Sequence, residues 1–87
     1  MIRYRVYTEL VNYDGTIALA KELLPDSFTV FKAEGYWHGI AEKTLVFEIL
    51  CPVDDHRITD FAYHVKKHNA QERVMVTRDP DIGAFLL

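Results

Sequence analysis

Residues 34–51 read Glu34-Gly-Tyr-Trp-His-Gly-Ile-Ala-Glu-Lys-Thr-Leu-Val-Phe-Glu-Ile-Leu-Cys51, and this stretch decides the fold. Tyr36, Trp37 and His38 stand together between Gly35 and Gly39, and Glu42 follows. Then comes an apolar run from Leu45 to Cys51. Glycines around an aromatic cluster mark the end of one strand and a turn. In the run that follows, Leu45, Phe47, Ile49 and Cys51 share one face of a strand, and Val46, Glu48 and Leu50 share the other. Apolar residues on both faces mark a central strand, or one whose second face is covered by another subunit.

Working upstream, Phe28 to Trp37 is strand-like, with alternation lost around Lys32 to Gly35. A glycine at that point predicts a bulge or a close backbone approach. Gly39 to Ala41 is short enough for a hairpin loop, with the next strand running from Lys43 to Cys51. Residues 2–11 alternate. Ile2, Tyr4, Val6, Thr8 and Leu10 fall on one face, and Arg3, Arg5, Tyr7 and Glu9 on the other, as in a half-buried strand. Asn12-Tyr-Asp-Gly15 is turn chemistry, with Asp14 or Thr16 available as a helix cap. Ile17, Ala20, Leu23 and Leu24 recur at helical spacing until Pro25 stops them. A helix of about nine residues depends on tertiary packing to persist.

Downstream, Pro52 ends the central strand, and Asp54 and Asp55 are N-cap candidates. Ile58, Phe61, Ala62 and Val65 give the full i, i+3, i+4, i+7 pattern. Lys66, Lys67 and His68 suit the last turn, and Asn69 suits its end. Arg73 to Arg78 reads as a final strand, broken by Asp79-Pro-Asp81. The segment from Ile82 to Leu87 is apolar to its end, so residues 79–87 are expected to dock on their own sheet or a neighbour's.

The order is β-α-β-β-α-β. Short connections and right-handed crossovers favour a four-stranded antiparallel sheet with both helices on one face, the α+β ferredoxin-like arrangement. The chain has 87 residues, so 1–87 forms a single domain with a thin core, burying roughly 60–65% of its unfolded surface. An aromatic share of 13% is high for this length and points to side chains at interfaces or pockets. In a monomer the second sheet face is uncovered, which implies a second subunit or a ligand there. Net charge is −3, without the basic stripe of a nucleic-acid binder. Cys51 is the only cysteine, which excludes an internal disulfide and a cysteine zinc site and suits a reducing cytoplasm. No membrane span or signal peptide is apparent.

The run Gly35-Tyr-Trp-His-Gly-x-x-Glu-Lys-Thr44 resembles a pattern of small phage and bacterial proteins of PII-like or ferredoxin-like build. It is also similar to part of the phage S-adenosylmethionine lyases. The resemblance covers residues 28–78 loosely and 35–44 well. It implies an oligomer that holds a sulfonium substrate at a subunit interface, with Tyr36 or Trp37 at the aromatic position and Glu42 as the carboxylate. The chain departs from the lyases in being short. It also departs in placing His38 where a small polar or basic residue is expected.

The residues carry two readings. Tyr36, Trp37, His38 and Glu42 form a ligand site, because aromatic faces attract cations and stack on purines while a carboxylate pairs with a cation or accepts from ribose hydroxyls. Alternatively, Trp37 anchors a core or interface and Glu42 is a solvated hairpin residue. His64 and His68 share a helix face at metal-compatible spacing. The glutamate of the helical zinc motif is replaced there by Val65, and a solvated face is the plainer reading. His38 and His56 have the intrinsic pKa for acid–base work, with no nucleophile placed beside either. Arg3, Arg5 and Tyr7, with Glu48, suit an anionic ligand or surface ion pairs. Cys51 reads as a small buried apolar group.

Three functions follow. The first is a small cytoplasmic, phage-encoded, ferredoxin-like protein that assembles as a homodimer or homotrimer and binds a small molecule or nucleotide at the interface. The second is a minimal S-adenosylmethionine lyase. The third is a structural or protein-interaction subunit. No metal, cofactor, nucleic acid or membrane enters any of them.

Overall fold

The structure, a computed structural model, describes residues 1–87. Its elements are β1 (Ile2–Glu9), α1 (Tyr13–Leu23), β2 (Thr29–Trp37), β3 (Ile40–Cys51), α2 (Arg57–His68) and β4 (Met75–Asp79). The sheet order is β2-β3-β1-β4, and every adjacent pair is antiparallel. This is the ferredoxin-like order that the sequence predicts. No helix is long and apolar enough to cross a membrane.

The alternation in β1 is realised. Ile2, Tyr4, Val6 and Thr8 are buried, whereas Arg3, Arg5 and Tyr7 are half-buried on the opposite face. On β3, Leu45, Phe47 and Ile49 are wholly buried against Ile58, Phe61 and Val65 of α2. The Phe47 and Phe61 rings meet edge to face, with centroids 5.0 Å apart. Each such side chain contributes about 1.5–3 kcal/mol by leaving water. On the face without helices, Val46 is also buried, at 1% exposure, between its cross-strand neighbours Tyr7 and Phe31.

The hairpin turn differs from expectation. It lies at His38–Gly39, and β3 begins at Ile40 rather than Lys43. His38 has φ 50° and Gly39 φ 77°. Positive φ at both central positions is the demand of a type I′ turn, whose twist matches that of the flanking strands. Gly35 makes no bulge, because the register runs unbroken from Thr29↔Glu48 to Trp37↔Ile40. What crowds this position is a side chain rather than a backbone: a Cβ on Gly35 would lie 3.0 Å from Thr44 Oγ1 and 4.0 Å from the Glu42 carbonyl oxygen.

The helix caps also differ. Asn12, at φ 49°, precedes α1, so neither Asp14 nor Thr16 caps it. Thr16 is buried within the helix and accepts a hydrogen bond from Asn69 Nδ2 at 3.0 Å. The Asn12 side chain lies across Gly15, leaving no space for a Cβ there, and donates to Asn69 Oδ1. At α2, Asp55 accepts from the Arg57 N–H at 3.0 Å and from its guanidinium at 2.7 Å. Asp54 does other work. It accepts from the Tyr4 hydroxyl and from Arg78 Nε and Nη2 at 2.7 and 2.9 Å, tying β1 and β4 to the loop before α2.

Two predictions follow. Gly39→Val places a β-branched side chain at positive φ and lowers stability by about 1–2 kcal/mol in urea unfolding, while His38→Asn, which tolerates that conformation, does not. Arg57 holds the Asp55 carboxyl down at about 2, and Arg78, then Tyr4, hold Asp54 below its usual range. Depressed carboxyl pKa values add stability above the unfolded value of 3.8 that disappears as pH falls toward about 2. The urea midpoint therefore drops across that interval, and Asp55→Asn flattens the drop.

Candidate functional site

β1 ends at Glu9, opposite Thr44, so β2 and β3 continue past it as a two-stranded arm ending in the His38–Gly39 turn. The arm, the end of β1 and residues 71–76 border a broad groove of about 840 Å³ that reaches α2. Register places Gly35 opposite Glu42, Glu9 opposite Thr44 and Met75 opposite Tyr7, all on the face without helices. Gly35 makes room there, since a side chain would meet the Thr44 hydroxyl.

Of the four residues singled out in the sequence, Tyr36, Trp37 and Glu42 line this groove. Trp37 keeps 57% of its surface exposed, enough to offer a contact face. Tyr36 projects from the other side of β2, and its hydroxyl donates to Glu34 Oε1 at 3.0 Å. His38 does not line the groove. It sits in the turn with its ring edge-on to Trp37, centroids 4.8 Å apart.

The structure adds Tyr7, Glu9, Met75 and Gln71 to the lining. Alternation already placed Tyr7 and Glu9 on the polar face of β1, but only the cross-strand register brings them to Glu42. Gln71 had no periodic signal. It is buried, donates from Nε2 to Thr8 Oγ1 at 2.6 Å, and accepts from the Glu9 N–H at 3.2 Å. It thus fastens the segment leading into β4 to the end of β1.

Charges of both signs line the groove. Arg5 is engaged by Glu48 at 2.8 Å across β1 and β3, and this hydrogen bond raises the guanidinium pKa. Arg3 faces Asp79 at 3.7 Å. The arginine pairing is therefore made within the chain. Glu9, Glu42 and Glu72 have no ion-pair partner, and Lys66 and Arg73 stand on the α2 and β4 side, with Glu72 next to Arg73 in the chain. Aromatic faces beside free carboxylates suit a cation or a purine nucleoside, and the distal lysine and arginine suit an anionic group.

The remaining reactive residues lie outside the groove. Cys51 is buried, and burial pushes its thiol pKa up. His64 Nδ1 lies 2.8 Å from the Asp60 carbonyl on an exposed face of α2. No three His, Cys, Asp or Glu side chains converge in a way that would hold a metal ion.

By sequence the chain matches no protein-family model and no curated protein. By structure it is similar to B. subtilis GlnK in an ATP complex, with TM-score 0.60 and 16% identity over 90% of this chain and 80% of that one. It is similar to a phage SAM lyase in the apo state, with TM-score 0.57 and 19% identity over 91% and 79%. CutA1 from Oryza sativa gives TM-score 0.53 and 18% identity over 98% and 84%. The similarity to all three is one of overall fold. At these identities the likeness extends to the fold alone.

Gln71→Ala tests the fastening of the groove. It leaves the Thr8 hydroxyl and the Glu9 N–H without their partner, so urea unfolding shows a loss of about 1–3 kcal/mol.

Proposed function

We propose that this chain is a small oligomeric ligand-binding protein of regulatory type, phage-encoded and cytoplasmic. In this reading a dimer or trimer binds a purine-bearing small molecule or nucleotide where the groove meets a neighbouring subunit. The observation that carries it is the meeting of Trp37 and Glu42 on a sheet face that no helix covers, in a groove that Tyr36 borders from the other side of β2. Trp37 stacks on the base, Glu42 accepts from ribose hydroxyls, and Lys66 and Arg73 meet the phosphates. The similarity to GlnK, whose structure contains ATP, supports a nucleotide over other flat ligands.

A second reading draws on Glu9 and Glu42, two free carboxylates beside aromatics in a groove lined by no serine, cysteine or histidine. It also draws on the likeness to the phage SAM lyase. In such a reaction the substrate's own carboxylate attacks its γ-carbon, and the carbon–sulfur bond breaks. The sulfur leaves as neutral methylthioadenosine, and homoserine lactone remains. The protein has only to hold a folded conformer and balance charge.

Trp37 is the sole tryptophan, so its fluorescence reports on the groove directly. Titration with ATP and with S-adenosylmethionine is expected to give saturable quenching, and native mass spectrometry an oligomer that retains the ligand mass. Glu42→Gln weakens binding by about tenfold, as loss of a charge-assisted hydrogen bond does. Release of methylthioadenosine, abolished by Glu42→Gln, selects the lyase reading. A clean monomer that quenches with neither compound would falsify both.

A further inference from the structure

The apolar C-terminal segment and the channel between α2 and β4 are two surfaces left uncovered within one chain. Phe85 is 83% exposed and Leu86 98%, with Leu87 fully exposed. We propose that Phe85–Leu87 of one copy docks in the channel between β4 and α2 of a neighbouring copy, alongside the free outer edge of β4.

The register carries the segment away from its own channel. β4 runs antiparallel to β1, and their last pair is Arg3↔Asp79. The Ile82 N–H then donates to the Met1 carbonyl at 3.0 Å, so the chain leaves the sheet past the start of β1. At about 3.3 Å per residue, a reversal at Gly83 would return Phe85–Leu87 only to the level of residues 79–81. Val74 and Val76 stay out of its reach, and only another copy can deliver the same residues there.

The channel is the α2–β4 end of the groove, and it has the features of a receptor. Val76 pairs with Val6 on the helix side of the sheet, yet Val6 is wholly buried and Val76 is exposed. α2 directs Phe61 and Val65 into the core and leaves Tyr63 exposed beside Ala62 on the channel wall. β4 is an edge strand, so its outer N–H and C=O groups have no ladder partner. An extended segment satisfies such groups and sends alternate side chains, here Phe85 and Leu87, to one side. The opposite edge, β2, is a poorer acceptor. Its helix-side positions include Lys32 and Glu34, charges of the kind that guard an edge strand.

Disulfide trapping between copies tests this. Leu87→Cys chains, whose cysteine shares the channel-facing side with Phe85, are mixed with Tyr63→Cys chains in one reaction and with Lys32→Cys chains in another, then oxidised without ligand. All three positions are exposed, so the fold is retained, as circular dichroism would verify, and buried Cys51 does not compete. The mixed disulfide with Tyr63→Cys is expected to form at least about tenfold faster than that with Lys32→Cys, from the higher effective concentration at a docked site. A smaller ratio, or no mixed disulfide, overturns the proposal. Because no ligand is present, either result leaves the groove's binding function to its own test.

Discussion

Burial of Leu45, Phe47 and Ile49 beneath α2 is the interaction on which the other features rest. It fixes which face of β3 looks inward, and a slip of one residue would turn all three into water. Once β3 is set, Val6 must stand opposite Phe47 and Val30 on its other side. The same setting assigns Val46, Glu48 and Leu50 to the face without helices. The groove is a by-product of length. β3 has 12 residues and β1 has 8, so the hairpin outruns its neighbour and leaves a two-stranded arm with an open flank.

The fold was readable because its signals are local and periodic. Alternation in residues 2–8, the Leu45–Cys51 run and the Ile58–Val65 stripe each named an element and its inward face. Element ends were less readable, since they depend on backbone geometry. Asp14 and Thr16 are favourable cap types, yet Asn12 takes the position with a left-handed backbone and Thr16 is drawn into the interior by Asn69. At His38 the residue type suggested an imidazole for chemistry. The backbone shows a turn position with positive φ instead.

The groove was half readable. Tyr36, Trp37 and Glu42 lie close in sequence, so a hairpin brings them together whatever the rest of the chain does. Glu9, Gln71 and Met75 join them only through pairings of β1 with β3 and of β4 with β1. Gln71 in particular looks like a solvated loop residue until its two hydrogen bonds to the end of β1 are seen. One sequence shows alternation within a strand, whereas register between distant strands is a property of the folded chain.

Cys51 pairs with Ile2 at the outer end of β1 and β3, close to where Tyr4 and Arg78 meet Asp54. Its thiol is the one strongly nucleophilic soft group in the chain, and the fold hides it. Exposure of that sulfur requires this end of the sheet or the segment leading into α2, with Asp54, Asp55 and Arg57 near the thiol, to part from it. A small electrophile that modifies the native chain therefore counts those partings, and its rate is a clock for local opening that needs no added label.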